Sequence, residues 1–147
     1  MPLTGEYAPS PDKRTRDQVE LYERTGGREG NLLEGTPWPV VIFTTRGNKS
    51  GKLHKFPLMR VEHDGKYAMV ASKGGAPTHP LWYYNLKADP EAVVVQDGER
   101  IIDGRARELT GEEREIWWKR AVEAYPPYAE YQTRTDRLIP VFLVEPK

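Results

Sequence analysis

Thr44 to Arg60 reads TTRGNKSGKLHKFPLMR and carries Arg46, Lys49, Lys52, Lys55 and Arg60 with no acidic residue among them. Glycines let the backbone approach a ligand closely, and lysine and arginine donate charge-assisted hydrogen bonds. The turn Arg46-Gly47-Asn48-Lys49-Ser50-Gly51-Lys52 therefore has the ingredients to hold phosphate or carboxylate. A second cluster, Ser72-Lys73-Gly74-Gly75-Ala76-Pro77, precedes a segment that reads as a helix, whose N-terminus favours anions. If both turns lie at one end of the fold they form a single anion cradle. Taken alone, Gly74-Gly75 need only turn the chain and Lys73 need only be a surface lysine. The glycine-rich P-loop pattern is not matched and a strand follows the first turn, which argues against a nucleotide triphosphatase.

Charge along the chain agrees with a local anion site. The 147 residues have a formal net charge of zero, yet Gly35 to Ala88 holds eight basic and two acidic residues, a local charge of +6 that the remainder cancels. Nonspecific attraction to nucleic acid normally goes with an overall basic surface; the same count also fits a solvated basic face.

Other chemistry is poorly supplied. His54, His63 and His79 lack metal-ligand spacing and there is no cysteine, so no metal site is expected. Ser50 and Ser72 have neither a histidine partner in sequence nor a nucleophile-elbow motif. An enzyme built this way takes its reactive atom from a cofactor. Tyr125, Tyr128 and Tyr131 in YPPYAEYQTRT recur every three residues. If Pro127 opens a helical turn, Tyr128 and Tyr131 share a face with Tyr125 at its entrance, an arrangement that serves packing as readily as function. Trp82, Trp117 and Trp118 read most simply as core or boundary residues.

The elements that position these residues follow from punctuation and period. Residues 1–11 read as a flexible tail and residues 12–147 as one domain. Asp12 to Thr25 reads as a helix stopped by Gly26-Gly27, with a thin apolar stripe of Val19, Leu21 and Tyr22. WPVVIFTT, LHKFPLMRVEH and YAMVAS read as three strands in a meander, with Pro57 marking an edge or a bulge and Asp64-Gly65 a hairpin turn. A short helix follows, with Thr78 as N-cap and Pro80 in its first turn. Two strands joined at Asp97-Gly98 come next, then a helix opened by the capping box TGEE and broken by Pro126-Pro127. LIPVFLVEP closes the order as a strand. Hairpins predominate and the helices are peripheral, so the expected fold is mainly β, a small antiparallel barrel with helices packed on it. No run approaches the ~18 apolar residues of a membrane span and the first residues lack a signal-peptide core, so a cytoplasmic protein is expected.

Together, TTRGNKSGKLHKFPLMRVEHDGKYAMVASKGGAPTHPLWYYNLKADPEAVVVQDG and AYPPYAEYQTRT resemble the deazaflavin-dependent nitroreductase family of actinobacteria, enzymes that use reduced coenzyme F420. The resemblance spans about Leu32 to Lys147 and implies a split β-barrel related to flavin-mononucleotide-binding oxidases. It also implies that the basic turn clamps an anionic cofactor bearing a phosphodiester and a glutamate tail. On matching positions, Arg46, Lys49, Ser50, Gly51, Lys52, Lys55 and Arg60 would border phosphate and tail, and Pro57, Leu58 and Met59 would run along the deazaflavin. Ser72, Lys73, Gly74, Ala76, Pro77 and His79 would complete the pocket, with Trp82 packed behind. Tyr125, Tyr128 and Tyr131 would shape the acceptor side, and Ser72 would lie near the reacting ring. The implied reaction is hydride transfer to a quinone, nitroaromatic or other activated conjugated acceptor. His54 and Phe56 depart from the basic and small residues usual beside Lys55.

Three other readings fit some of these features. A flavin mononucleotide oxidoreductase on the same barrel would leave much of the basic strand unused, and a non-catalytic cofactor carrier would need only the clamp. Single-stranded nucleic acid could bind a basic strand interleaved with Phe56, Tyr67 and Trp82, but such attraction normally goes with an overall basic surface, and the resemblance implies a small-molecule acceptor as partner. The sequence leaves monomer or homodimer open, and equally a peripheral membrane contact through the first helix.

Overall fold

Six consecutive buried residues, Val40 to Thr45, make β1 (Val40–Arg46) a strand covered on both faces. Its β-branched and aromatic side chains suit that position at the middle of a layered structure. The computed structural model describes residues 3–147. In it β1 lies between β2 (Leu53–Met59) and β5 (Val93–Asp97). Four further pairings, antiparallel like these two, extend the sheet through β6 (Arg100–Glu108), β7 (Val141–Pro146), β4 (Lys66–Val70) and β3 (Glu62–His63). The order is β2-β1-β5-β6-β7-β4-β3, and the sheet curls until β2 approaches β4, giving the antiparallel half-barrel expected.

The meander is corrected. Among the strands β2 pairs only with β1, while β4 is carried towards the far end of the order, where Ala68 faces Leu143 and Met69 faces Phe142. Pro57 has no N–H to donate, which suits β2 to the edge it occupies. The Asp64-Gly65 turn is as read: both residues have positive φ, 53° and 78°, the conformation a type I′ turn requires. The second hairpin turns one residue later than Asp97-Gly98, at Gly98-Glu99, with Asp97 paired to Arg100.

Asp12 caps α1 (Lys13–Thr25), its carboxylate accepting from the Thr15 hydroxyl at 2.7 Å, and left-handed Gly26 ends the helix. This helix buries Val19 and Tyr22 against Ile42, and the Tyr22 hydroxyl accepts the Gly98 N–H at 2.7 Å. α2 (Leu81–Ala88) starts at Leu81 with Pro80 as its N-cap, later than Thr78. His79 precedes proline and is thereby pushed out of helical geometry, so no helix can start before Pro80.

Thr110 has the extended backbone of an N-cap ahead of α3 (Gly111–Ala124), yet the capping box does not close. Arg107 of β6 engages both carboxylate oxygens of Glu113 at 2.7 Å and takes the partner the box needs. Pro127 opens α4 (Pro127–Thr133) as expected.

One core lies between the sheet and α3–α4, around Met59, Trp117, Tyr128, Ile139 and Leu143. A second fills the curl beneath α2, around Phe43, Met69, Trp82, Leu86 and Phe142. Each such side chain contributes ~1.5–3 kcal/mol by leaving water. Of the expected tail, Met1 and Pro2 lie outside the described residues. The part that follows runs along β2: Leu53 N–H donates to the Glu6 carbonyl at 2.8 Å and Ala8 N–H to the Leu53 carbonyl at 2.9 Å.

Candidate functional site

The turn between β1 and β2 is closed by its own backbone, Gly47 N–H donating to the Lys52 carbonyl at 2.8 Å and Gly51 N–H to the Gly47 carbonyl at 2.9 Å. Asn48 N–H donates to Asn85 Oδ1 at 3.1 Å, which ties the turn to α2. The second turn, the 3-10 segment Lys73–Gly75, follows β4 and precedes α2 in the chain. Residues of both turns line one cavity of about 1050 Å³, together with His54, Lys55, Phe56, Trp82 and Tyr84. Lys49, Lys55 and Lys73 face it and no carboxylate residue is among its walls.

A smaller cavity of about 220 Å³ adjoins the first, sharing Lys73, Pro80 and Trp82. Its walls are Pro57, Leu58 and Met59 of β2, Ser72 and Gly74 of the second turn, and Tyr125, Tyr128 and Tyr131. Phe56 and Trp82 stack with centroids 5.9 Å apart and planes 14° from parallel, so the larger cavity has a flat aromatic flank.

The tyrosines form a polar cluster inside an apolar wall. Tyr125 and Tyr131 share a hydroxyl–hydroxyl hydrogen bond of 2.8 Å, and Tyr128 meets the Tyr125 ring edge-on at 4.8 Å. Burial, then the bond to Tyr131, pushes the Tyr125 phenol up to about 12. Burial raises Tyr128 further. Both hydroxyls therefore keep their protons through neutral pH. Ser72 is buried, and among the described residues no protein group hydrogen-bonds its hydroxyl.

Of the residues singled out in sequence, Lys49, Ser50, Lys55, Lys73, Pro57, Leu58, Met59, Ser72, Gly74 and the three tyrosines line one or other cavity. Arg46, Gly51, Lys52, Arg60, Ala76, Pro77 and His79 line neither. Arg46 pairs with Asp89 at 3.2 Å and Lys52 with Glu6 at 3.5 Å. Arg60 grips both carboxylate oxygens of Asp97, at 3.0 and 3.1 Å, and Tyr67 donates to the same carboxylate. His79 stacks on Tyr83 with centroids 4.1 Å apart, and its Nδ1 accepts from Arg137 at 3.1 Å. Burial and the Arg137 cation push that imidazole below its ordinary value.

Several wall residues went unsuspected. Ala8, Ser10, Pro11 and Thr15 close one side of the larger cavity, although nothing in their types signals a site. Leu81, 81% exposed, and Tyr84 form an apolar rim. An exposed leucine in the first turn of a helix is visible only once the helix is placed.

Residues 14–146 match the F420H(2)-dependent quinone reductase family. Over 127 residues, 84% of each chain, the sequence is 32% identical to an F420H(2)-dependent quinone reductase of Mycobacterium tuberculosis. A solved structure described as an F420-H2 dependent reductase (FDR-A) is 68% identical and superposes with a TM-score of 0.69, covering 78% of this chain and 97% of that one. Another, described as a domain-swapped dimer, is 62% identical with a TM-score of 0.71, over 88% and 96% of the two chains. The lysine-lined cavity, the tyrosine-walled cavity beside it and these matches lead to one conclusion: the chain belongs to the F420H(2)-dependent quinone reductase family.

Proposed function

We propose that the two adjoining cavities are a single site, the larger taking the anionic end of coenzyme F420 and the smaller receiving the acceptor. The observation that carries this is that Lys73 of the second turn joins Gly47, Asn48, Lys49 and Ser50 of the first in one lysine-lined space, and that this space shares Lys73, Pro80 and Trp82 with the tyrosine-walled cavity. The donor set fits the coenzyme: three lysines with no carboxylate among the walls suit phosphate and carboxylate, and the Phe56–Trp82 stack suits a flat ring system. When bound, reduced coenzyme F420 supplies the hydride and the chain supplies no redox group of its own.

Each residue then has a definable task. Lys49 has no ion-pair partner among the described residues, so its ammonium is available to an anion. Lys73 borders both cavities and donates only a long 3.4 Å hydrogen bond to Thr78. Pro57, Leu58 and Met59 exclude water, while the Ser72 hydroxyl is unengaged and able to donate toward a carbonyl in the smaller cavity. The Tyr125–Tyr131 pair holds protons beside that space and can orient or protonate a reduced oxygen.

The acceptor class is a quinone, with nitroaromatic compounds as activated relatives. Purified protein mixed with reduced coenzyme F420 and menadione should oxidise the coenzyme, followed by the return of its fluorescence. No binding and no turnover would discard the reading, and a yellow protein as purified would favour flavin mononucleotide instead. A homodimer is supported by the relative described as domain-swapped, and light scattering on the purified chain tests it.

A further inference from the structure

We propose that Arg137 is a positioning residue that sets the shape of the Ser72–Ala76 turn and so delivers Lys73 and Ser72 to the site. This rests on the functional reading above. The guanidinium donates from Nη1 to the Ala71 carbonyl at 3.0 Å, from Nη2 to the Ser72 carbonyl at 2.8 Å, and from Nε to the Ala76 carbonyl at 2.9 Å. A further Nη1 contact is made to His79 Nδ1 at 3.1 Å. All three hydrogen-bonding nitrogens are thus spent on one turn and the residue behind it, and no carboxylate pairs with Arg137 among the described residues.

The turn needs such a brace. Lys73, Gly74 and Gly75 take φ of 47°, 65° and 83°, three left-handed residues in succession, and lysine bears the penalty of a Cβ in that region. A run of this kind persists only where its surroundings fix it. Two contacts help from the segment that ends α4. Arg134 donates to the Gly74 carbonyl at 3.4 Å, and Gly75 packs so close that an added Cβ would sit 2.7 Å from the Tyr131 carbonyl oxygen. The turn carrying Lys73 and the helix carrying Tyr128 and Tyr131 therefore behave as one unit, with Arg137 as the main fastener. Lysine cannot replace it, since a single ammonium cannot reach carbonyls on both sides of the turn in the fixed fork of a guanidinium.

The test is Arg137→Lys, with Gly75→Ala disturbing the same turn where it packs on Tyr131 and Arg134. Three quantities are read on the full chain: amide hydrogen exchange of Gly75 and Ala76 without ligand, affinity for coenzyme F420 by fluorescence titration, and thermal midpoint. Both variants are expected to speed exchange at Gly75 and Ala76 about tenfold while β1 and β5 amides hold, and to weaken coenzyme binding about tenfold. Steady-state KM for the coenzyme should rise more than kcat falls. Unchanged exchange in the turn, or faster exchange with wild-type affinity, overturns the positioning role. A uniform rise in exchange across the sheet marks Arg137 as a general stability residue and overturns it equally. If the wild-type chain itself does not bind the coenzyme, the functional reading fails, and the exchange result still decides whether Arg137 shapes the turn.

Discussion

Lys55 Nζ lies 2.6 Å from Glu23 Oε2, so a lysine of the basic strand reaches the cavity with a carboxylate from α1 already beside it. Its neighbour in charge, Lys49, lines the same cavity with no such partner among the described residues. The two lysines therefore differ in what they do for the fold. Lys49→Glu is expected to weaken coenzyme binding by ~2–3 kcal/mol, the worth of a lost charged hydrogen bond, with the thermal midpoint unchanged. Lys55→Glu should weaken binding and also lower stability by about 1–3 kcal/mol, because two partly buried carboxylates would then face each other. Fluorescence titration and urea unfolding of both variants check this, and equal stability losses would refute the distinction.

Arg60 provides the opposite case. Its guanidinium is held by Asp97, whose other partner is the Tyr67 hydroxyl, and it borders neither cavity. Arg60→Ala should cost about 1–3 kcal/mol of stability by leaving Asp97 half-satisfied, while coenzyme affinity stays within twofold. A large affinity loss at constant stability would restore Arg60 to the site.

Alkali should act through the tyrosine cluster. Burial and the bond to Tyr131 push the Tyr125 phenol from its ordinary 10 up to about 12 in the fold. Its contribution to stability is complete below pH 10 and is lost as pH rises from there to about 12, since the unfolded chain ionises first. Thermal midpoints should fall over that window in the wild type, and less in Tyr125→Phe. A catalytic proton held by this pair should leave kcat flat up to pH 9.

Acid should act through His79, which meets Arg137, the rings of Tyr83 and Tyr84, and the more distant Glu108. Folding lowers its pKa, so above the ordinary imidazole range both states are neutral and pH has no effect through it. As pH falls through 6.5 the unfolded chain takes the proton first and stability declines. A protonated ring also loses the Nδ1 lone pair that accepts from Arg137. His79→Gln should flatten the decline between pH 7 and 5 in a series of unfolding curves; an unaltered slope would assign it elsewhere.

What the sequence made legible was local. Asp64-Gly65, Gly26 and Pro127 each act within a few residues of themselves, and each turn or helix end stands where its chemistry puts it. Which strands pair was not legible: β4 chooses β7 through buried cross-strand contacts such as Met69 with Phe142, and nothing near Met69 encodes that. Local motifs also fail where a distant group competes, as Arg107 does for the glutamate of the capping box. The lysines of the two turns stood out by type and the glycines beside them, whereas the tyrosines, whose spacing serves packing as readily, were singled out through the family resemblance; both sets line the cavities. Arg137 did not stand out, because its partners are backbone carbonyls, which every residue possesses.

The strand order has a consequence for how the chain comes to be folded. Val70 pairs with Val141, so the apolar Tyr67–Val70 edge of β4 must wait, half-partnered, while α2, β5, β6, α3 and α4 are synthesised and leave the ribosome. Contacts of such sequence separation slow folding and keep a sticky edge open to other chains. Conditions that lower the yield of active protein should therefore do so before β7 docks, and nascent chains stalled ahead of Val141 should be those that chaperones hold.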